Sequence, residues 1–167
     1  MHYSVIRPYD IANGPGVRVS LFVSGCRNHC PGCFNPETWD FTFGQEFTCD
    51  TLHEIEEMLK NPNIAGLSIL GGDPLEPENI EWIETLCAYV KYNIPGKTIW
   101  LWTGYMFEDT KNLGVINDID VLIDGPFEQD KKDLRLAYCG SWNQRVIDVK
   151  KSLEAGCAIR YEGTEEY

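Results

Sequence analysis

Apolar positions in this chain alternate between short dense runs and longer segments where they recur every three or four residues. The run VRVSLFVS, rich in β-branched and aromatic residues after a turn-forming NGPG, predicts a strand from Val17 to about Ser24. CDTLHEIEEMLK reads as a helix. Asp50 or Thr51 is placed to cap it, Leu52, Ile55 and Met58 or Leu59 line one face, and Asn61-Pro62 stops it. IAGLSIL, Ile64 to Leu70, is nearly continuous in apolar residues, as a buried parallel strand is. EPENIEWIETLCAYVKY predicts a second helix with Pro77 in its first turn and Ile80, Ile83, Cys87 and Val90 at helical spacing. Thr98–Trp102 and Ile119–Ile123 read as strands, Phe107–Leu113 as a short helix, and the tail as strands near Arg145–Val149 and Ala158–Tyr161.

Alternating strands and helices imply βαβ units and a mainly parallel sheet. A closed (β/α)8 barrel takes about 250 residues. With 167 residues the chain predicts a single domain, residues 1–167, of class α/β. Its expected form is a partial, open (β/α) barrel of about five or six units. A flavodoxin-like doubly wound sheet is the alternative. The polar and glycine-rich segments each follow a predicted strand: Cys26 after the first, Gly71 to Pro74 after the second, Thr103 to Tyr105 after the third, Asp124 to Phe127 after the fourth. Parallel α/β folds bind ligands at the carboxyl ends of their strands, so these loops point to one composite site.

Composition narrows the function. The chain is 43% hydrophobic and 24% charged, and no apolar stretch approaches the ~18 residues of a membrane span. MHYSVIRPYD lacks the apolar core of a secretion signal, which predicts a cytoplasmic protein. A net charge of −12 argues against nucleic acid as a partner, because phosphate-backbone binding requires a basic footprint. Seven cysteines favour a metal site plus bystander thiols over a disulfide framework in such a compartment. Cys87 falls on an apolar helix stripe and reads as core; Cys49, Cys139 and Cys157 read as structural.

In SGCRNHCPGCFN the remaining three, Cys26, Cys30 and Cys33, are spaced x3 then x2. Thiolates select zinc, cuprous copper or iron–sulfur clusters. A zinc site needs a fourth ligand, and His29 is the nominee, although it adjoins Cys30. A [4Fe–4S] cube presents a separate iron to each ligand and leaves one iron open. Unrelated thiols are the third reading. Around the loop, Gly71 and Gly72 allow a ligand close to the backbone, with an ordinary turn as the competing reading. Asp73 is placed to hold a cation or to cap the next helix, and Asp124 to accept from hydroxyls or to form a turn. Thr103 and Tyr105 line a pocket or close a turn; Asn143, Gln144 and Arg145 read as a solvated turn; Trp39, Trp82, Trp100 and Trp102 read as core. Alternation turns Arg18, with Ser20 and Phe22, towards the barrel interior, where an unpaired charge is costly and a carboxylate partner is expected.

C-x3-C-x2-C directly after a first strand resembles the signature of the radical S-adenosylmethionine (SAM) superfamily. DIANGPGVRVSLFVSGC and CFNPETWD are similar to the segments flanking the cysteines in activases of glycyl-radical enzymes. PGC-aromatic-N, GGDPL, W-TGY, VLIDGPF and GSWNQR resemble the activating family of the anaerobic ribonucleotide reductase, over about residues 3 to 150. The resemblance implies one [4Fe–4S] cluster on Cys26, Cys30 and Cys33, with S-adenosyl-L-methionine on the open iron. It implies SAM contacts at Gly32, Cys33, Phe34, Gly71, Gly72, Asp73 and Asp124. No catalytic residue is expected beyond the cluster and SAM. The implied partners are the glycyl-radical catalytic subunit of the anaerobic ribonucleotide reductase and a low-potential electron donor such as flavodoxin. Four positions depart from wider patterns: Gly32 replaces an aromatic before the third cysteine, Phe34 stands where Tyr is commoner, Asp73 replaces Glu, and Pro126 stands where some relatives carry a base. A radical SAM enzyme acting on a small molecule, such as a deazapurine-forming synthase, shares the cysteine loop. A zinc-stabilised or electron-carrying module is the non-catalytic alternative.

Overall fold

A computed structural model describes residues 1–163. The chain begins with β1, His2–Asp10, and β2, Val17–Val23, which pair antiparallel. The two-residue β3, Gln45–Glu46, then adds to the free edge of β1. α1, Cys49–Leu59, leads to β4, Ile64–Gly71, and α2, Pro77–Asn93, to β5, Thr98–Trp102. The single turn α3, Phe107–Thr110, precedes β6, Val121–Asp124. β7, Arg145–Asp148, and α4, Val149–Ala155, close the order. The seven strands form one open sheet, β3-β1-β2-β4-β5-β6-β7. β2, β4, β5 and β6 are parallel, whereas β1, β3 and β7 add antiparallel.

The expected α/β class and parallel centre are therefore present, with fewer units than the expected five or six. Three crossovers join the four parallel strands, and the sheet does not close. The doubly wound alternative is excluded by the distribution of the core. One face of the sheet, carrying Val19, Leu21, Leu67, Ile69, Ile99, Leu101 and Leu122, packs with Ile55, Leu59, Ile83, Leu86, Cys87 and Val90 of the helices. The opposite face carries Trp100, Val121, Ile123 and Val146, covered by Trp102, Tyr138, Cys139 and Tyr161. Among the described residues that second cluster contains no helical side chain, whereas a doubly wound sheet has helices on both faces.

Local sequence accounts for most boundaries. α1 is capped by Thr48, not by Asp50 or Thr51: the Thr48 hydroxyl accepts from Thr51 N while the Thr51 hydroxyl accepts from Thr48 N, a reciprocal capping box. Pro77 opens α2 at a position where the missing N–H is an orphan in any case. Cys87 is fully buried in the core, as expected, and burial pushes its thiol far up. The expected strand Ala158–Tyr161 is reduced to a single bridge, Ile147 to Arg160. No helix among the described residues is long and apolar enough to cross a membrane.

Arg18 does lie on the helix-free face and is fully buried, but its expected carboxylate partner is replaced by neutral acceptors. Nε donates to Ser68 Oγ at 2.7 Å, Nη1 to Thr98 Oγ1 at 2.9 Å, and Nη2 to the carbonyls of Leu67 and Thr98 at 2.8 and 2.9 Å. The guanidinium also sits 5.5 Å from the Trp100 ring centroid, a cation–π contact. Burial lowers its pKa to about 10, which leaves it charged at neutral pH.

Candidate functional site

The loops after β2, β4, β5 and β6 meet at one end of the helix-free face, around a cavity of about 540 Å³. Its wall includes Cys26, Cys30 and Cys33, with Gly71, Gly72 and Asp73 from the loop after β4 and Thr103 and Gly104 from the loop after β5. Gly125, Phe127, Leu136, Tyr138 and Gln144, from the segment following β6, complete it as a roof.

The cysteine loop is anchored at its start by backbone bonds. Gly25 N donates to Thr38 O at 2.7 Å and Cys26 N to Trp39 O at 3.2 Å, while Asp73 N donates to Gly25 O at 2.8 Å. A Cβ on Gly72 would lie 2.6 Å from Gly25 O, so the two loops approach this closely only because that residue has no side chain. Cys26, Cys30 and Cys33 are half-buried and unpaired. Burial pushes the Cys26 thiol up to about 11 and raises Cys30 as well, so both rest as thiols until a metal displaces the proton. Among the described residues no three His, Cys, Asp or Glu side chains converge as ligands of one metal ion. His29, the nominee for a fourth zinc ligand, instead stacks on Trp39 with ring centroids 4.6 Å apart. Three thiols around one cavity, not gathered on a point, suit a cluster that offers each its own iron.

Asp73 is the hub of the rim. Its carboxylate is 1% exposed and accepts from Leu75 N at 3.0 Å, Thr103 Oγ1 at 2.8 Å, Gly104 N at 2.9 Å and Asn28 Nδ2 at 3.1 Å. It thereby ties together the loops after β2, β4 and β5. Burial pushes its pKa up to about 6 against the opposing pull of its donors, so it is ionised at neutral pH. Its side chain does not cap α2, which begins later, at Pro77.

Of the other site residues expected from the sequence, Cys33, Phe34, Gly71 and Gly72 line the cavity. Phe34 is 57% exposed, with its ring 5.4 Å from Phe127 and beneath Lys132 Nζ at 4.7 Å. Gly32 is not among the cavity-lining residues; it has φ +73, and the Gln129 amide fills the space where its Cβ would project. Asp124 is fully buried and likewise absent from the wall. Its carboxylate accepts from Phe107 N at 2.8 Å, from Arg145 Nε at 3.0 Å, and from Arg145 Nη2. The structure thus commits Asp124 to an ion pair rather than to a hydroxyl in the cavity.

Several assignments change. Trp39 and Trp102, read as core, line the cavity. Cys139, read as structural, is a further thiol on its wall, and burial raises it to about 11. Asn143 and Gln144, read as a solvated turn, donate to Pro126 O at 2.6 Å and Gly125 O at 2.9 Å and pin the segment after β6. Sequence reasoning missed Asn28 and Glu76. Their only signal is polarity inside or beside a chemically marked loop.

Comparison with known proteins places this arrangement in a class. The model of the 4Fe-4S single cluster domain matches residues 12–147, which spans every loop of the rim. At finer grain, the chain is 48% identical over 146 residues to the anaerobic ribonucleoside-triphosphate reductase-activating protein of Enterobacteria phage T4, covering 87% of this chain and 93% of the relative. It is 45% identical over 154 residues to the protein of the same name from Escherichia coli K12, covering 90% of this chain and 100% of the relative. The Vibrio cholerae counterpart is 43% identical over 150 residues, covering 87% of this chain and 97% of the relative. The chain belongs to the family of anaerobic ribonucleoside-triphosphate reductase-activating proteins.

Proposed function

We propose that this protein is a radical SAM activase of the anaerobic ribonucleotide reductase, with residues 1–167 acting as a single domain in the cytoplasm. On this reading Cys26, Cys30 and Cys33 would hold a [4Fe–4S] cluster that, once reduced, would supply one electron for the cleavage of bound SAM, and the cavity would admit one glycine of the reductase as the site of hydrogen-atom abstraction. The observation that carries it is the set of three thiols on one cavity wall beside the Gly71–Asp73 loop.

The chain's own part is binding, orientation and exclusion of water. Cys26, Cys30 and Cys33 hold three irons. Gly71 and Gly72 bring backbone groups to the cavity for the amino and carboxylate end of SAM, and Asp73 fixes that loop while adding negative charge for the ammonium. Phe34, at the mouth, offers a ring to the adenine. Asp124 enters as a support: it anchors Arg145 and the segment that roofs the cavity. Gly32 serves the turn of the cysteine loop. The helix-free face becomes the inside of a partial barrel, open at the rim to a polypeptide loop. Reduction of a sulfonium demands the low end of the ~−700 to +450 mV range of such clusters, hence a flavodoxin-like donor.

The test is anaerobic reconstitution with iron and sulfide, then dithionite, SAM and the candidate reductase. The reading predicts 5′-deoxyadenosine and a glycyl-radical signal by electron paramagnetic resonance that requires the reductase. Stoichiometric zinc without sulfide, or SAM cleavage that survives loss of each of the three cysteines, would overturn it.

A further inference from the structure

The cysteine loop carries a second anchor that the cluster chemistry itself does not require. Glu76 is 0% exposed, yet it stands at the N-cap of α2, where the preferred residues are Ser, Thr, Asp and Asn. Its side chain makes no capping bond to the helix. The carboxylate reaches back to the residue after the first cysteine: Oε1 accepts from Arg27 N at 2.7 Å and Oε2 from Arg27 Nη1 at 2.6 Å. The guanidinium is held further by Glu78, with Nη1 at 2.8 Å and Nη2 at 2.5 Å from its carboxylate, and lies 4.5 Å over the Phe41 ring. Glu76 thus grips both the backbone and the side chain of Arg27, while the N-terminus of the 17-residue α2 favours its negative charge.

We propose that Glu76 is a positioning residue for the metal centre: it fixes the backbone between Cys26 and Cys30 so that both thiols face the cavity before iron arrives. The inference rests on the cluster reading above and adds a residue to it. The bond from Arg27 N to the Glu76 carboxylate is charge-assisted and part-buried, so removing the carboxylate takes away that donor's partner. The exposed arm, Arg27 to Glu78, contributes little, because solvent screens it. Glu76 holds the loop by its hydrogen bonds to Arg27 and not by a bond to either thiol, so this grip acts on the thiols through the backbone.

The test compares wild type, Glu76→Ala, Glu76→Gln and Glu78→Gln after anaerobic reconstitution. Iron and sulfide per chain are measured first, then the rate at which the visible cluster absorbance is lost to excess chelator. Outer-shell partners of metal ligands are typically worth about 10–100-fold in metal affinity. Glu76→Ala is expected to lose its cluster at least ~10-fold faster than wild type. Glu76→Gln keeps an acceptor for Arg27 N and is expected to fall between the two. Glu78→Gln is expected to stay within about twofold of wild type. Thermal melting of the metal-free variants controls for folding; if Glu76→Ala melts early, the comparison rests on Glu76→Gln. Wild-type chelator resistance in both Glu76 variants overturns the inference and leaves the cluster reading intact. A wild type that takes up no iron and sulfide overturns that reading and the inference with it.

Discussion

Arg18 and Asp73 occupy opposite ends of the helix-free face, each ionised and each almost sealed from solvent, at 0% and 1% exposure. Around Arg18 the acceptors are Ser68 and Leu67 on β4 and Thr98 on β5, and the Asn13–Gly14 turn closes directly over them. A Cβ on Gly14 would lie 2.8 Å from Arg18 Cδ and 3.3 Å from the Trp100 ring. Around Asp73 the donors come from three different loops, and those loops stop short of filling the space they enclose. The same device, a buried charge with its hydrogen bonds complete, serves different ends. At the Arg18 end it plugs the sheet; at the Asp73 end it braces a rim around a cavity. Of these two buried charges, only Asp73 borders open volume, and that is what ties it to the site.

That contrast can be broken by mutation. Arg18→Met should have the largest effect on folding, since it strands several buried acceptors, each worth ~1–3 kcal/mol when unsatisfied. A loss of about 3 kcal/mol or more in urea unfolding of the metal-free protein is expected, with cluster content per folded chain unchanged. A stable Arg18→Met that cannot assemble the cluster would reverse the assignment of the two ends.

Asp73→Asn should destabilise less, about 2 kcal/mol, because the amide keeps one acceptor oxygen but turns its NH2 towards another donor. It should also abolish SAM cleavage while the three thiols still take up iron. Its pH signature has a definite sign. The folded carboxyl is raised to about 6 from 3.8, so its contribution to stability is fully present below pH 3.8 and is lost as pH rises to about 6. The Asp73→Asn variant should lack that component in unfolding curves taken across this window. Gly14→Ala leaves the Arg18 charge in place and tests only the closure above it: φ is +114 and the methyl would press on the hydrogen-bonded Arg18 side chain and the Trp100 ring, so a loss of about 1–3 kcal/mol is expected in urea unfolding.

The parallel centre of the sheet was legible in the sequence because buried parallel strands are dense apolar runs and α1 and α2 carry helical periodicity. The rim was legible because turn-forming and chemically marked residues follow each strand. β1 was not, since only Tyr3 and Asp10 of its nine residues are buried and Pro8 interrupts it, leaving no alternation to read. The Asp124–Arg145 pair, 21 residues apart, and the Glu76–Arg27 clamp, 49 apart, arise only when strands and loops are assembled. Local pattern cannot distinguish such a carboxylate from one that awaits a ligand, which is why Asp124 was expected in the site and Glu76 was not.

The central claim is that three protein thiols leave one iron of the cluster open, although a fourth thiol, Cys139, lines the same cavity. The most direct measurement is electron paramagnetic resonance of the reduced, reconstituted protein before and after SAM, in wild type and in Cys139→Ser. The account predicts that SAM alters the spectrum and that both proteins give the same spectrum without it. A spectrum indifferent to SAM, or one changed by Cys139→Ser in its absence, would contradict an open iron.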